Sequence, residues 1–223
     1  MIGILRRARR RRAQGDRGAA LVEAALITPV FALLLFGIIE FGLTFRDYLT
    51  VANASRDGTR AASAFGDDTY ADYNVLQVIR QSTKGFRPNE IRRVIIFDAG
   101  GVGGSVLSPS HPAYACLNAS TGINNVCNVY GASALSLPKS SFGCRSDMSL
   151  DRYWCPAALN GQDGRETRAS VGPDYIGVYV QTRHNFITGL FGPGLNLEDE
   201  LVMDLQEQSR LHVAPVVEKG AVS

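Results

Sequence analysis

The hydrophobic positions of this chain of 223 residues are unevenly spread. From Ala19 to about Phe45 they are nearly continuous, broken by only two charged residues, Glu23 and Glu40. Between those glutamates lies AALITPVFALLLFGII, sixteen residues without a charge. With its flanks the segment reaches about 20 to 25 residues, enough for a helix rising about 1.5 Å per residue to cross a hydrocarbon core of about 30 Å. The helical pattern continues past this run. Phe45, Leu49 and Ala52 recur at spacings of four and three, alanines are frequent up to Ala64, and no proline intervenes. Gly58 weakens the extension by about 1 kcal/mol relative to alanine, and Gly66-Asp67-Asp68 is a stop signal. The pattern predicts one helix from Ala19 to Ala64, roughly 70 Å long.

Further along, Asn74 to Thr83 reads as a short amphipathic helix. Ile91 to Phe97 (IRRVIIF) is rich in β-branched residues and predicts a strand. Ala99 to Pro173 is rich in glycine, serine and asparagine and predicts loops. Tyr175 to Phe186 alternates as a strand does, and Leu201 to Val213 alternates over part of its length and predicts a closing strand. A helix first and antiparallel strands later predict an α+β fold. The expected division is a basic leader (1–18), a transmembrane helix (19–45), a helix extension (46–65), an extracytoplasmic α+β head (66–214) and a frayed tail (215–223).

Charge sets the orientation. Arg6, Arg7, Arg9, Arg10, Arg11, Arg12 and Arg17 face a single Asp16 within the first eighteen residues, a net +6. The whole chain carries +2, so the remainder carries −4. A basic arm can bind nucleic acid. One that abuts an apolar run is more simply a cytoplasmic topology anchor, which predicts the N-terminus inside, the head outside and no nucleic-acid partner. A cleavable secretory signal needs a shorter apolar core with a small-x-small site soon after it. Ala52-Asn53-Ala54 and Ala62-Ser63-Ala64 have the small residues but lie beyond Arg46 and Asp47.

Cys116, Cys127, Cys144 and Cys155 are an even set in a domain expected outside, which predicts two disulfides. Cys116–Cys127 and Cys144–Cys155 each enclose ten residues. Two matching local loops demand least in closure entropy, and the crossed pairings stay open. Structural zinc cysteines come closer together, as C-x₂₋₄-C.

The entry to the apolar run reads Asp16-Arg17-Gly18-Ala19-Ala20-Leu21-Val22-Glu23-Ala24. A carboxylate inside a membrane costs a few kcal/mol. Glu23 therefore reaches headgroups and water, or meets a cation on a partner. The longer stretch Arg17 to Phe45 resembles the TadE-like family of tight-adherence (Flp) pilus systems. The matching features are Arg17-Gly18, Val22-Glu23, Pro29 and Phe36-Gly37-Ile38-Ile39-Glu40-Phe41-Gly42, followed by Asn53-Ala54-Ser55-Arg56-Asp57-Gly58-Thr59-Arg60-Ala61.

The resemblance implies cleavage by a prepilin peptidase between Gly18 and Ala19. Glu23 then becomes the fifth residue of the mature chain and aligns the helix through the new amino terminus of a neighbouring subunit. Major Flp pilins carry a tyrosine where this chain has Ala24, and they are essentially a bare helix. A chain with a large head therefore resembles a minor pilin or pseudopilin. The implied partners are the membrane, the prepilin peptidase, the major Flp pilin, a sister minor pilin and the inner-membrane pilus platform. The alternative is a membrane-tethered extracytoplasmic binding domain unrelated to pili.

No enzyme is indicated, and no metal or cofactor. His111, His184 and His212 fall in no metal-ligand spacing. The run Asp98 to Gly104 follows a strand but leads into no helix, so it reads as a turn rather than a phosphate loop. His184 reads as structural and Glu40 as interfacial and solvated. Asn118-Ala119-Ser120 is a glycosylation-type sequon of low specificity. Tyr130, Tyr153 and Trp154 are candidates for a contact surface or for a small core.

Overall fold

A computed structural model describes residues 2–87, 89–159, 164–168 and 171–205, with side chains from residue 18 onward. Helix α1 runs Ile2–Phe65 and α2 runs Ala71–Ser82. The strands are β1 (Ile91–Asp98), β2 (Cys127–Tyr130), β3 (Tyr175–His184) and β4 (Leu195–Asp204). They form one antiparallel sheet in the order β2-β1-β3-β4. The architecture is the α+β one the sequence predicts, with a long apolar helix at its start. The chain forms two compact units, Met1–Arg46 with Phe186–Pro193, and Asp47–Asn185 with Gly194–Ser223.

In the second unit, both faces of the sheet are covered. Alternation along β1 sends Val94 and Ile96 to one face and Ile95 and Phe97 to the other, and all four are buried. The first face packs with Ile176, Val178 and Val180 of β3 against Val51, Ala54 and Ala62 of α1 and Val75, Leu76 and Ile79 of α2. The second face meets Ala99, Val106, Ala113 and Cys116 from the segment between β1 and β2. This double covering explains why β1 reads as an unbroken apolar run.

Two glycines mark close approaches. Gly58 of α1 lies against α2 and β3, where an added Cβ would come within 2.9 Å of Ile79 Cγ1 and 3.2 Å of Val178 Cγ1. Gly177 of β3 pairs with Phe97, whose ring covers it so tightly that an added Cβ would sit 2.1 Å from Cζ.

Several boundaries differ from the expected ones. Helix α2 begins at Ala71 rather than Asn74, and β3 ends at His184, so Phe186 belongs to the following loop. The last strand begins at Leu195 and ends at Asp204, where Leu201 to Val213 is expected. Its long hairpin register, from Tyr175 opposite Asp204 to His184 opposite Leu195, fixes that earlier start. Residues 206–213, with His212 among them, and the tail after Pro215 lie outside the described residues. Strand β2 emerges from a stretch expected to be loop. Of the helical face drawn through Phe45, Leu49 and Ala52, the first two are exposed and Ala52 is buried, and the buried face continues through Val51, Ala54, Ser55, Gly58, Thr59 and Ala62.

The disulfides are Cys116–Cys127 and Cys144–Cys155, the two local loops favoured by the equal spacing. The first ties the segment covering the sheet to the edge strand β2.

Candidate functional site

The anchor part of α1 is bare. Leu21, Val22, Leu26, Ile27, Val30, Phe31, Leu33 and Leu34 are all exposed. The most apolar window of 18 residues has a mean hydropathy of 2.3 and is 0% buried. The core helix of a water-soluble protein hides such a surface against its own chain. This one leaves it for lipid or for other helices, which is compatible with single-pass membrane anchoring.

Gly18 and Ala19 lie within the continuous helix, both exposed. Glu23 is also exposed, and it makes no hydrogen bond or ion pair to another described residue. Pro29 removes one helix hydrogen bond, yet α1 continues through it. Next to it, the Thr28 hydroxyl donates to the Ala24 carbonyl at 2.6 Å, while the carbonyl that the missing Pro29 N–H leaves without its helical partner is that of Ala25.

Glu40 corrects the reading of a solvated side chain. It is 1% exposed. Its Oε1 accepts from the Thr188 backbone N–H at 2.6 Å and from the Thr188 hydroxyl at 2.8 Å. The same loop lays the Phe191 ring 5.4 Å from that of Phe41 and close over Gly37. Phe186 packs on Phe191 at 6.2 Å between centroids. An acid near the end of the apolar run is thus given hydrogen-bond donors by a loop far away in sequence.

From Asp47 onward, α1 is part of the head. Asp47 Oδ2 and His184 Nδ1 are 2.7 Å apart, both side chains largely buried, so His184 is a structural residue of β3. A stripe of small hydroxyls at every fourth position follows. Ser55 donates to the Asp199 carboxylate, Thr59 to the Leu201 carbonyl at 3.1 Å and Ser63 to the Asp204 carbonyl at 2.5 Å. All three acceptors are on β4, the edge strand. These hydroxyls tie the extension of α1 to β4 through one carboxylate and two backbone carbonyls. Ala54, Ser55, Gly58 and Thr59 therefore face their own head, while Asn53, Arg56 and Arg60 point outward.

A buried polar network, which no local sequence signal marks, locks the loops of the head. The Asp72 carboxylate pairs with Arg165 Nη1 at 2.7 Å, and both side chains are fully buried. Asp72 also accepts from Asn128 Nδ2 at 2.9 Å and from the Tyr130 hydroxyl at 2.6 Å. Arg165 donates to the Trp154 carbonyl at 3.1 Å and stacks its guanidinium 4.1 Å from the Trp154 ring centroid. Burial, with the charges of Asp72 and Asp151, pushes the Tyr130 hydroxyl well above its ordinary range. Tyr130 and Trp154 are accordingly core residues and not a contact surface.

The remaining candidates are structural as well. His111 accepts from the Ala113 N–H and lies 3.1 Å from the Ala99 carbonyl, closing the turn after β1. Among the described residues no cluster of three metal-ligating side chains is present.

Among the described residues, one candidate membrane helix joined to a disulfide-bearing α+β head defines the class of protein. Residues 18–60 match the family model of the TadE-like protein, the family that the sequence resembles. The match covers the anchor and the extension as far as Arg60, including Ser55 and Thr59 but not Ser63, and stops short of the sheet. The match spans 43 of the 223 residues and suggests a relation to Tad pilus proteins for that part of the chain. No curated protein and no solved structure matches the chain.

Proposed function

We propose that the chain is a non-enzymatic minor pilin or pseudopilin acting in the assembly, priming or capping of a tight-adherence Flp pilus. The observation that carries this reading is the bare helix from Gly18 onward. Among the described residues its apolar surface is left uncovered over most of its length, from Leu21 to Phe36, and Glu23 is its one exposed carboxylate before Arg46. In this reading a prepilin peptidase cuts between Gly18 and Ala19. The N-terminus lies inside and the head outside the cytoplasmic membrane. Glu23 then meets the amino terminus of a neighbouring subunit, an attraction strengthened where water is scarce. The partners are the major pilin, a sister minor pilin and the inner-membrane platform. The match over residues 18–60 supports the family, and the large head supports a minor over a major subunit.

The mature N-terminus, read by mass spectrometry with and without a prepilin peptidase, tests the first step. A peptidase-dependent start at Ala19 is expected, and an intact Met1 in both samples would remove the processing step. Glu23→Ala tests the second. Fewer pili and weaker cross-linking to partner subunits are expected, and unchanged assembly would overturn the role of Glu23. If an unrelated spanning helix in place of Ala19–Phe45 preserved function, the chain would be a tethered binding domain instead.

A further inference from the structure

The loop Phe186–Pro193 is assigned no role by the family match, which ends at Arg60. Its sequence, FITGLFGP, has no charged residue. Gly189 and Gly192 adopt φ of +68° and +98°, left-handed conformations that side chains disfavour, and they let the loop fold back tightly. Phe191 packs onto Phe41 and Gly37, and Thr188 grips Glu40. With its inner side thus engaged, the loop turns Ile187, Leu190 and part of Phe191 outward, at 72%, 54% and 43% exposure.

The helix serves as a ruler. Gly37 lies about 27 Å and Phe41 about 33 Å above Ala19 at 1.5 Å per residue. If Ala19 marks one edge of a hydrocarbon core of about 30 Å, the loop contacts the helix at the opposite edge. There the helix surface beside the loop is also apolar, with Phe36, Ile38, Ile39 and Phe45 exposed. The loop's bare side chains are continuous with the surface that the membrane reading already assigns to lipid.

We infer that Phe186–Pro193 is a second membrane-contacting element, which dips Ile187 and Leu190 into the lipid interface beside the anchor helix while Thr188 shields Glu40 from the acyl chains. This rests on the reading of α1 as a membrane span. The occupant of the loop's outer side is the bilayer. Interfacial depth suits large apolar and aromatic side chains, and an unshielded carboxylate at the hydrocarbon edge would drag water with it.

Tryptophan quenching by brominated phosphatidylcholine tests the inference on the full chain in vesicles. Leu190→Trp changes an exposed side chain, and Phe31→Trp reports the span independently. Native Trp154 is buried in the head and provides the common background. Leu190→Trp emission should be lost chiefly to bromines carried near the top of the acyl chain, and Phe31→Trp emission to deeper ones. Loss at Phe31→Trp without loss at Leu190→Trp would overturn the loop assignment and leave the span intact. The loop assignment fails equally if Leu190→Trp is shielded only as protein crowds the vesicles, because a second copy would then cover the loop. No loss at either position would overturn the span and the loop assignment with it.

Discussion

Asp72 and Arg165 form an ion pair 2.7 Å apart with neither side chain reaching solvent. Asp72 stands on α2, and Arg165 on an irregular segment that also holds Trp154 by a hydrogen bond and a stacked ring. The pair is the point where the loop-rich half of the head is fastened to the helix-covered sheet.

Removing one partner should therefore be far worse than losing a surface bridge. Arg165→Ala leaves a buried carboxylate with only Asn128 and Tyr130 as donors. A loss of about 3–5 kcal/mol is expected, measured as a shift in urea midpoint of the detergent-solubilised chain. Trp154 fluorescence should report it, since the stacked guanidinium is gone. A loss below about 1 kcal/mol, the value of an exposed bridge, would mean the pair does not fasten the loops.

Asp151 supplies a pH signature. Burial pushes its carboxyl above the ordinary range and the Asp72 charge adds to this, while the N–H groups of Cys144 and Gly143 pull the other way. A carboxyl whose folded pKa lies above its unfolded value stabilises fully below the unfolded value, about 3.9. That contribution is lost as pH rises through the raised folded value. Asp151→Asn stays neutral throughout but gives up one of two acceptors, since Asp151 takes Gly143 N–H at 2.7 Å and Cys144 N–H at 2.9 Å. Denaturation midpoints across the acid range should show the variant gaining on the native chain as pH rises. A difference independent of pH would contradict the raised carboxyl.

The two disulfides close loops of equal length, with a sequence separation of 11 in each case. Each should therefore contribute about 2–3 kcal/mol by chain entropy. Their local effects should differ. Replacing Cys116 and Cys127 by serine should raise amide exchange in β2 and in the segment over Ile95 and Phe97. Replacing Cys144 and Cys155 should loosen the turn at Gly143 that Asp151 holds. Identical exchange patterns for the two variants would refute this division.

The sequence is most legible where one segment decides its own fate. The charge-free run after Glu23, the β-branched Ile91–Phe97 and the paired cysteine spacings each carry their signal locally. Gly58 reads locally as a weak point of the helix, but its purpose is the close approach of Ile79 and Val178, which no helical periodicity reveals. Strand β2 is four residues long in polar surroundings and exists because β1 offers it a register. Glu40 reads as solvated for a similar reason, since its partner Thr188 lies 148 residues away. The Asp72–Arg165 pair likewise joins groups whose burial depends on elements folded between them.

The hold of Thr188 on Glu40 bears on how the head is to be produced for study. Cutting the chain at Arg46 looks like a clean way to obtain a soluble fragment, because the apolar run has ended. The fragment would still carry Phe186–Pro193, now deprived of Phe41 and Glu40, with its greasy tip facing buffer. Stickiness at high concentration is the foreseeable result. A tractable fragment needs a second edit, replacing that loop with a short polar turn between His184 and Leu195.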